Sequence, residues 1–156
     1  MQELIVGEFH RTLDERFRLS LPAELLSLLG ENECVLAKER PGCLSLWNGA
    51  DWQAKLESGI DLVRGKIQSG RLDAKIEQVQ ILGRLLATRH KRLRLSGRGR
   101  LLIPEGFREF LQVEAGSEVV VVGAAVCLEI WKPEAWIAYL EQTMPDFREL
   151  LEELAG

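Results

Sequence analysis

Arg11–Pro22 reads RTLDERFRLSLP, and Leu93–Pro104 reads LRLSGRGRLLIP. With Arg18 laid on Arg100, Leu13 meets Leu95, Arg16 meets Arg98, Leu19 meets Leu101, Leu21 meets Ile103 and Pro22 meets Pro104. Farther on, CLSLW (Cys43–Trp47) meets CLEIW (Cys127–Trp131), and Trp52 meets Trp136. The offset grows from 82 residues at the arginines to 84 at the tryptophans, a two-residue insertion. Self-similarity at a fixed period decides architecture before any local signal does. The chain is one unit written twice.

In the first copy, Leu4-Ile5-Val6 reads as an extended segment closed by Gly7. Leu13, Phe17, Leu19 and Leu21 face one way, with Arg16, Arg18 and Ser20 on the other. That is the period-two pattern of a strand pair bent at Asp14-Glu15-Arg16. Pro22 suits the start of a helix over Ala23–Leu29, and Gly30 suits its left-handed end. Strands follow at Glu33–Lys38 and Cys43–Trp47 around a Pro41-Gly42 turn. The second copy repeats the order. Leu93–Ile103 gives strand, bend and strand, Glu105–Leu111 a helix, and Val119–Val122 with Val126–Trp131 a hairpin turning at Gly123.

Between the copies, a helix starting at Asp51–Leu56 and a second over about 71–86 are expected, with breaks at Gly59, Gly65 and Gly70. After the second copy, Pro133 opens a helix through Leu140, Pro145 interrupts it, and Asp146 is placed to cap a last turn over Phe147–Leu154. These readings divide the chain into a first repeat (4–56), a helical connector (57–88), a second repeat (89–140) and an acidic C-terminal helix (141–156). Neither repeat holds enough strands to bury both faces alone. The expected fold is mainly β with peripheral α-helices, an α+β fold in which two copies close into a pseudo-twofold barrel.

Composition narrows the function. The chain has 156 residues, 46% hydrophobic and 28% charged, with no apolar run approaching a membrane span. Its first residues lack the pattern of a secretory signal. Three cysteines without paired spacing fit reduced thiols in the cytoplasm, and only His10 and His90 are available for a histidine metal site. No catalytic or metal-ligating residue is assigned, no cofactor is expected, and neither a membrane nor a small-molecule substrate is expected as partner. Nucleophile elbow, phosphate loop and metal-ligand spacing are all missing, which argues against an enzyme.

The net charge of −4 argues against nucleic acid only on average. From Arg84 to Arg108 eight basic residues face Glu105 alone, a local +7, whereas Glu109–Gly156 carries −8. Exposed charges are screened beyond roughly 8–10 Å in physiological salt, so the two regions can serve different partners. Arg89–Arg94 also reads as a merely solvated run. The acidic helix reads equally as a solvated face or as a surface meeting a neighbour's basic side.

GEFHRTLDERFRLSLP (Gly7–Pro22), with its Asp-x-x-x-Arg core at Asp14 and Arg18, resembles the first half of the MraZ family. Arg84-Leu85-Leu86, Gly99-Arg100-x-x-x-Pro104 and IWKPEAW (Ile130–Trp136) are similar to its second half, so the resemblance spans nearly the whole chain. Members are bacterial regulators of the division and cell-wall gene cluster, built from two AbrB-like (SpoVT-AbrB) repeats. The resemblance implies a swapped-hairpin AbrB-like barrel within one chain and a ring-shaped homo-oligomer. It also implies a cytoplasmic, nucleoid-associated transcription factor that binds double-stranded DNA at short direct promoter repeats.

Mapped here, the DNA contacts fall on Arg16, Arg18, Arg98 and Arg100, flanked by Arg11 and Arg94, with Asp14, Ser96, Gly99 and Arg84 as supporting motif positions. The departures are Phe17 where the family usually has Gly, Ser96 for the second Asp, Arg89-His90 for a small pair, and Arg92 and Arg94 where acids are common. Arginine suits the role because its planar fork bonds guanine edges or phosphates in pairs. Asp14 can hold Arg18 across the bend, either for DNA or simply as a fold-stabilising ion pair. A competing function is an AbrB-like protein-binding module, an antidote or scaffold without specific DNA binding. The four tryptophans and Cys43 and Cys127 read as packing residues.

Overall fold

The computed structural model describes residues 4–30 and 33–156. Its elements are β1 (Ile5–Thr12), β2 (Arg18–Ser20), α1 (Ala23–Leu29), β3 (Cys34–Arg40), β4 (Cys43–Asn48), α2 (Gly49–Gln68) and α3 (Ile76–Thr88). The second half adds β5 (His90–Leu93), β6 (Arg100–Leu102), α4 (Glu105–Leu111), β7 (Glu118–Ala125), β8 (Leu128–Trp131), α5 (Pro133–Thr143) and α6 (Phe147–Ala155). Short 3₁₀ turns precede α3 and α6.

Apolar residues run without alternation through Val35-Leu36-Ala37 and Val119–Val122, and such strands must be covered on both faces. They are. Six antiparallel strands form one sheet in the order β1-β7-β8-β4-β3-β5. One face packs Leu36, Leu44, Leu46, Val121 and Ile130 against Leu19 and Leu101 of a separate β2–β6 ribbon, and against Leu25 and Leu29 of α1 and Phe107 and Leu111 of α4. On the opposite face, Val35, Trp47 and Cys127 meet Trp52 of α2, while Val120 and Trp131 meet Ala135, Trp136 and Tyr139 of α5.

Pairing crosses between the halves. β1 pairs along its length with β7, from Ile5↔Ala125 to Thr12↔Glu118. Its counterpart β5 pairs with β3, from Cys34↔Leu93 to Ala37↔His90. The ribbon is centred on Leu19↔Leu101, two positions that the sequence comparison superposes. The expected strand pair within Thr12–Leu21 therefore resolves differently: each arm finds its ladder partner in the other half. Gly7 does not close the first strand but lies within it.

The molecule is a mixed α/β protein, and helices hold more residues than strands. The expected β majority gives way because α2 is one continuous 20-residue helix. Gly59 and Gly65 do not break it, since a glycine lowers helix stability by only about 1 kcal/mol. The Asn48 side chain caps its start by accepting from Ala50 N at 2.9 Å and Asp51 N at 3.3 Å, while donating to Leu29 O at 2.8 Å. Gly70, at φ 74°, does turn the chain. The sheet is open, with β1 and β5 at its edges, and the ribbon is a separate two-stranded piece.

Two smaller expectations are also revised. The β7–β8 turn falls at Ala125, whose φ is 68°, not at Gly123. Gly123 lies inside β7, where a Cβ would stand 2.6 Å from Val6 N and 2.7 Å from Ile5 O, so close approach of β1 explains the glycine. Asp146 makes no side-chain cap to α6, because Met144–Asp146 forms a 3₁₀ turn that leads straight into the helix.

Candidate nucleic-acid interface

Alternation in the ribbon sends Leu19 and Leu101 into the core and leaves Arg18, Ser20, Arg100 and Leu102 on the outer face. The register places Arg18 opposite Leu102 and Ser20 opposite Arg100. The two arginines are thus diagonal neighbours, whose backbones stand roughly 7–8 Å apart on such a ribbon. Each bend is also tied to the other half: Leu21 N donates to Gly99 O at 3.1 Å, and Ile103 N donates to Phe17 O at 3.0 Å. Arg16 and Arg98 project from the bends and are exposed.

Asp14 organises the first bend. Its Oδ1 accepts from Arg16 N at 2.8 Å and Arg18 N at 2.9 Å, and its Oδ2 accepts from Arg18 Nε at 3.1 Å. The Arg18 N–H above all holds the carboxyl below its ordinary range; partial desolvation opposes this, and the Arg16 N–H and the Arg18 side chain add to the lowering. The second bend lacks a carboxylate. Ser96 Oγ donates to Arg100 O at 3.2 Å, and Ser96 and Arg100 close the bend through their backbones at 2.9 and 3.2 Å. No carboxylate of the described residues lies within ion-pair distance of the Arg100 side chain. One arginine is clamped and its counterpart is not.

Phe17 keeps the backbone that glycine would supply. Its φ is 59°, matching Gly99 at 73° in the corresponding place. A left-handed non-glycine residue costs on the order of 1–2 kcal/mol. The ring offsets that cost by packing against the core and by stacking under the Arg108 guanidinium, 3.9 Å from the ring centroid. Arg108 is a residue that sequence reasoning missed, since only the fold brings α4 over the first bend. Gly99 itself has Leu26 of α1 against it, with a Cβ position 2.2 Å from Cδ1.

The remaining basic residues divide. Arg89 donates to Lys38 O, and Arg92 pairs with Glu33 at 3.1 Å and with Gln53, so both staple β5 and its approach to the structure. Lys91 and Arg94 are exposed. Arg11 donates to His10 O and lies 5.5 Å from the Phe9 ring on β1. Arg84 is exposed on α3, outside the ribbon. Cys43 and Cys127 are buried, and desolvation, with Glu129 next, pushes the Cys127 thiol up to about 12. No helix of the described residues is long and apolar enough to cross a membrane.

Comparison with known proteins bears on this geometry. The family model described as "MraZ protein, putative antitoxin-like" matches residues 4–64 and 88–155. The chain belongs to the MraZ family. Proteins named transcriptional regulator MraZ match it nearly end to end. The one from Heliobacterium modesticaldum is 30% identical over 97% of this chain and 96% of its own length. The one from Leuconostoc mesenteroides is 30% identical, also over 97% and 96%. The Treponema denticola protein is 25% identical over 96% of each. In MraZ terms, both matched segments contain one arginine-bearing bend, and the unmatched gap at 65–87 covers the end of α2 and most of α3.

Proposed function

We propose that the protein is a sequence-specific, double-stranded-DNA-binding transcriptional regulator that acts in the cytoplasm, at the nucleoid, and has no enzymatic role. Arg16, Arg18, Arg98 and Arg100 on the ribbon and its bends carry the DNA contacts, with Arg11 and Arg94 beside them. The observation that supports this most is the diagonal placement of Arg18 and Arg100 on one exposed face, each leaving a bend tied to the other half. Residues 4–56 and 89–140 act as two AbrB-like units that exchange strands, 57–88 connects them, and 141–156 forms the acidic end.

A bidentate arginine–base contact discriminates by about 1–3 kcal/mol, so one ribbon reads little sequence. Several copies on evenly spaced sites raise avidity by about 10²- to 10⁴-fold. We therefore read the working form as a ring-shaped homo-oligomer on short direct repeats in the promoter of the division and cell-wall gene cluster. The family's antitoxin-like description favours a second reading, a protein-binding module without specific DNA contacts.

Salt separates the two. Phosphate contacts make retention of the upstream DNA fall steeply with ionic strength, whereas a protein-binding module shows no such retention. Arg18→Ala is expected to abolish specific retention in an electrophoretic shift assay while the thermal transition stays near wild type. Equal loss of folding and binding would assign Arg18 to structure.

A further inference from the structure

The two bends share a backbone turn and differ in chemistry. In the first, Phe17 N donates to Asp14 O at 3.1 Å; in the second, Gly99 N donates to Ser96 O at the same distance. The Asp14 carboxylate then serves three donors of its bend, Arg16 N, Arg18 N and Arg18 Nε. Their counterparts are Arg98 N, Arg100 N and the Arg100 guanidinium. Arg100 N turns to Ser96 O, and Ser96 Oγ itself donates to Arg100 O. Among the described residues nothing accepts from Arg98 N, and no carboxylate pairs with the side chain of Arg98 or Arg100.

Rigidity differs as well. Phe17 is pinned between the core and the Arg108 guanidinium, and Asp14 Oδ2 fixes Arg18 by its Nε. The two terminal nitrogens of Arg18 have no partner among the described residues. They form the end-on fork that guanine O6 and N7 accept. The second bend is Gly97-Arg98-Gly99, with Arg98 at φ 63° and Gly99 at φ 73°. An added Cβ at Gly97 meets nothing within 4 Å. The bend lines an open cleft of about 770 Å³ together with Arg94 and, from α1, Leu26 and Ser27, which leaves room for an anion.

We propose that the second bend binds a DNA backbone phosphate where the first bend holds the Asp14 carboxylate, so that the first repeat reads bases and the second anchors the backbone. A phosphate oxygen resembles a carboxylate oxygen as an acceptor of charge-assisted bonds from a guanidinium and a backbone N–H. Arg100, unclamped, adjusts to a phosphate, whereas Arg18, clamped, presents one fixed fork to a base edge. Phosphate contacts set register and carry no sequence information directly; base contacts specify. The diagonal placement of Arg18 and Arg100 lets one ribbon make both contacts on one duplex. The inference rests on the DNA-binding function proposed above and gives its two bends different duties.

The test measures fluorescence anisotropy of the full-length chain with the upstream repeat duplex and with a shuffled duplex of equal composition, over a range of salt. Thermal melting serves as the fold control. Ser96→Asp supplies the missing carboxylate and occupies the site. It should weaken binding to both duplexes together and make the log–log salt slope shallower by about 0.9 for each bend engaged. The ratio between the two duplexes should stay within about twofold of wild type, since a phosphate contact carries no sequence information. Arg100→Ala should do the same, and it reads the same contact should Ser96→Asp melt early. Arg18→Lys keeps the charge and loses the planar fork, so the slope should hold while the ratio falls about ten- to a hundredfold. A wild-type slope in Arg100→Ala or in a folded Ser96→Asp, a sharpened or lost preference in either, or an unchanged ratio in Arg18→Lys overturns the proposal. A wild type that retains neither duplex, or both equally, overturns the regulator reading itself. Specific retention with the two duties unsplit overturns this assignment alone.

Discussion

Asp14 holds three donors with one carboxylate, and two of them are backbone N–H groups of the bend itself. Asp14→Asn keeps the shape but loses the charge that draws the Arg18 guanidinium. The expected result is about a tenfold weaker specific DNA retention, with little change in denaturant midpoint. Because the native carboxyl is held low, its contribution is present above the unfolded value of roughly 3.9 and is lost as pH falls through the lower folded value. Carboxyl NMR on the folded chain should show Asp14 titrating below the ordinary aspartate value. Phe17 sets a second expectation. Phe17→Ala loses the ring and keeps the left-handed strain, whereas Phe17→Gly loses the ring and relieves it. The glycine variant should be the more stable of the two by about 1 kcal/mol in urea.

At the level of elements, glycines divide by what surrounds them. Gly59 and Gly65 lie on open sides of α2 with nothing within 4 Å of an added Cβ, so each change to alanine should raise stability by about 0.5–1 kcal/mol. Gly123 is the reverse case. A methyl there meets the β1 backbone, so Gly123→Ala should cost about 1–3 kcal/mol and speed hydrogen exchange along Ile5–Thr12. These contrasts show where the sequence was readable. Helices α1, α4 and α5 stand where proline and apolar spacing place them, and the bends fall at Asp14 and Ser96. Local pattern could not supply the β1–β7 and β5–β3 ladders, whose partners are set by tertiary packing far along the chain. For the same reason Arg89 and Arg92 read as free charge, although Lys38 O, Glu33 and Gln53 engage them. The Arg108–Phe17 stack was equally invisible.

Across the whole molecule, charge is segregated. The ribbon carries Arg18, held by Asp14, and Arg100, which no carboxylate of the described residues pairs, while the C-terminal third is acidic, which fits attraction of DNA to the ribbon and its repulsion from the acidic region. One consequence concerns synthesis. Thr12 finds its ladder partner only at Glu118, 106 residues later. At about 5–20 residues per second, a ribosome needs on the order of 5–20 s to deliver the second edge of that ladder. Until then the first half has neither β7 nor β6 to close against, so a prematurely terminated product offers proteases an open strand instead of a working bend. Strand exchange between the halves thus ties closure of the first bend to synthesis of the second half.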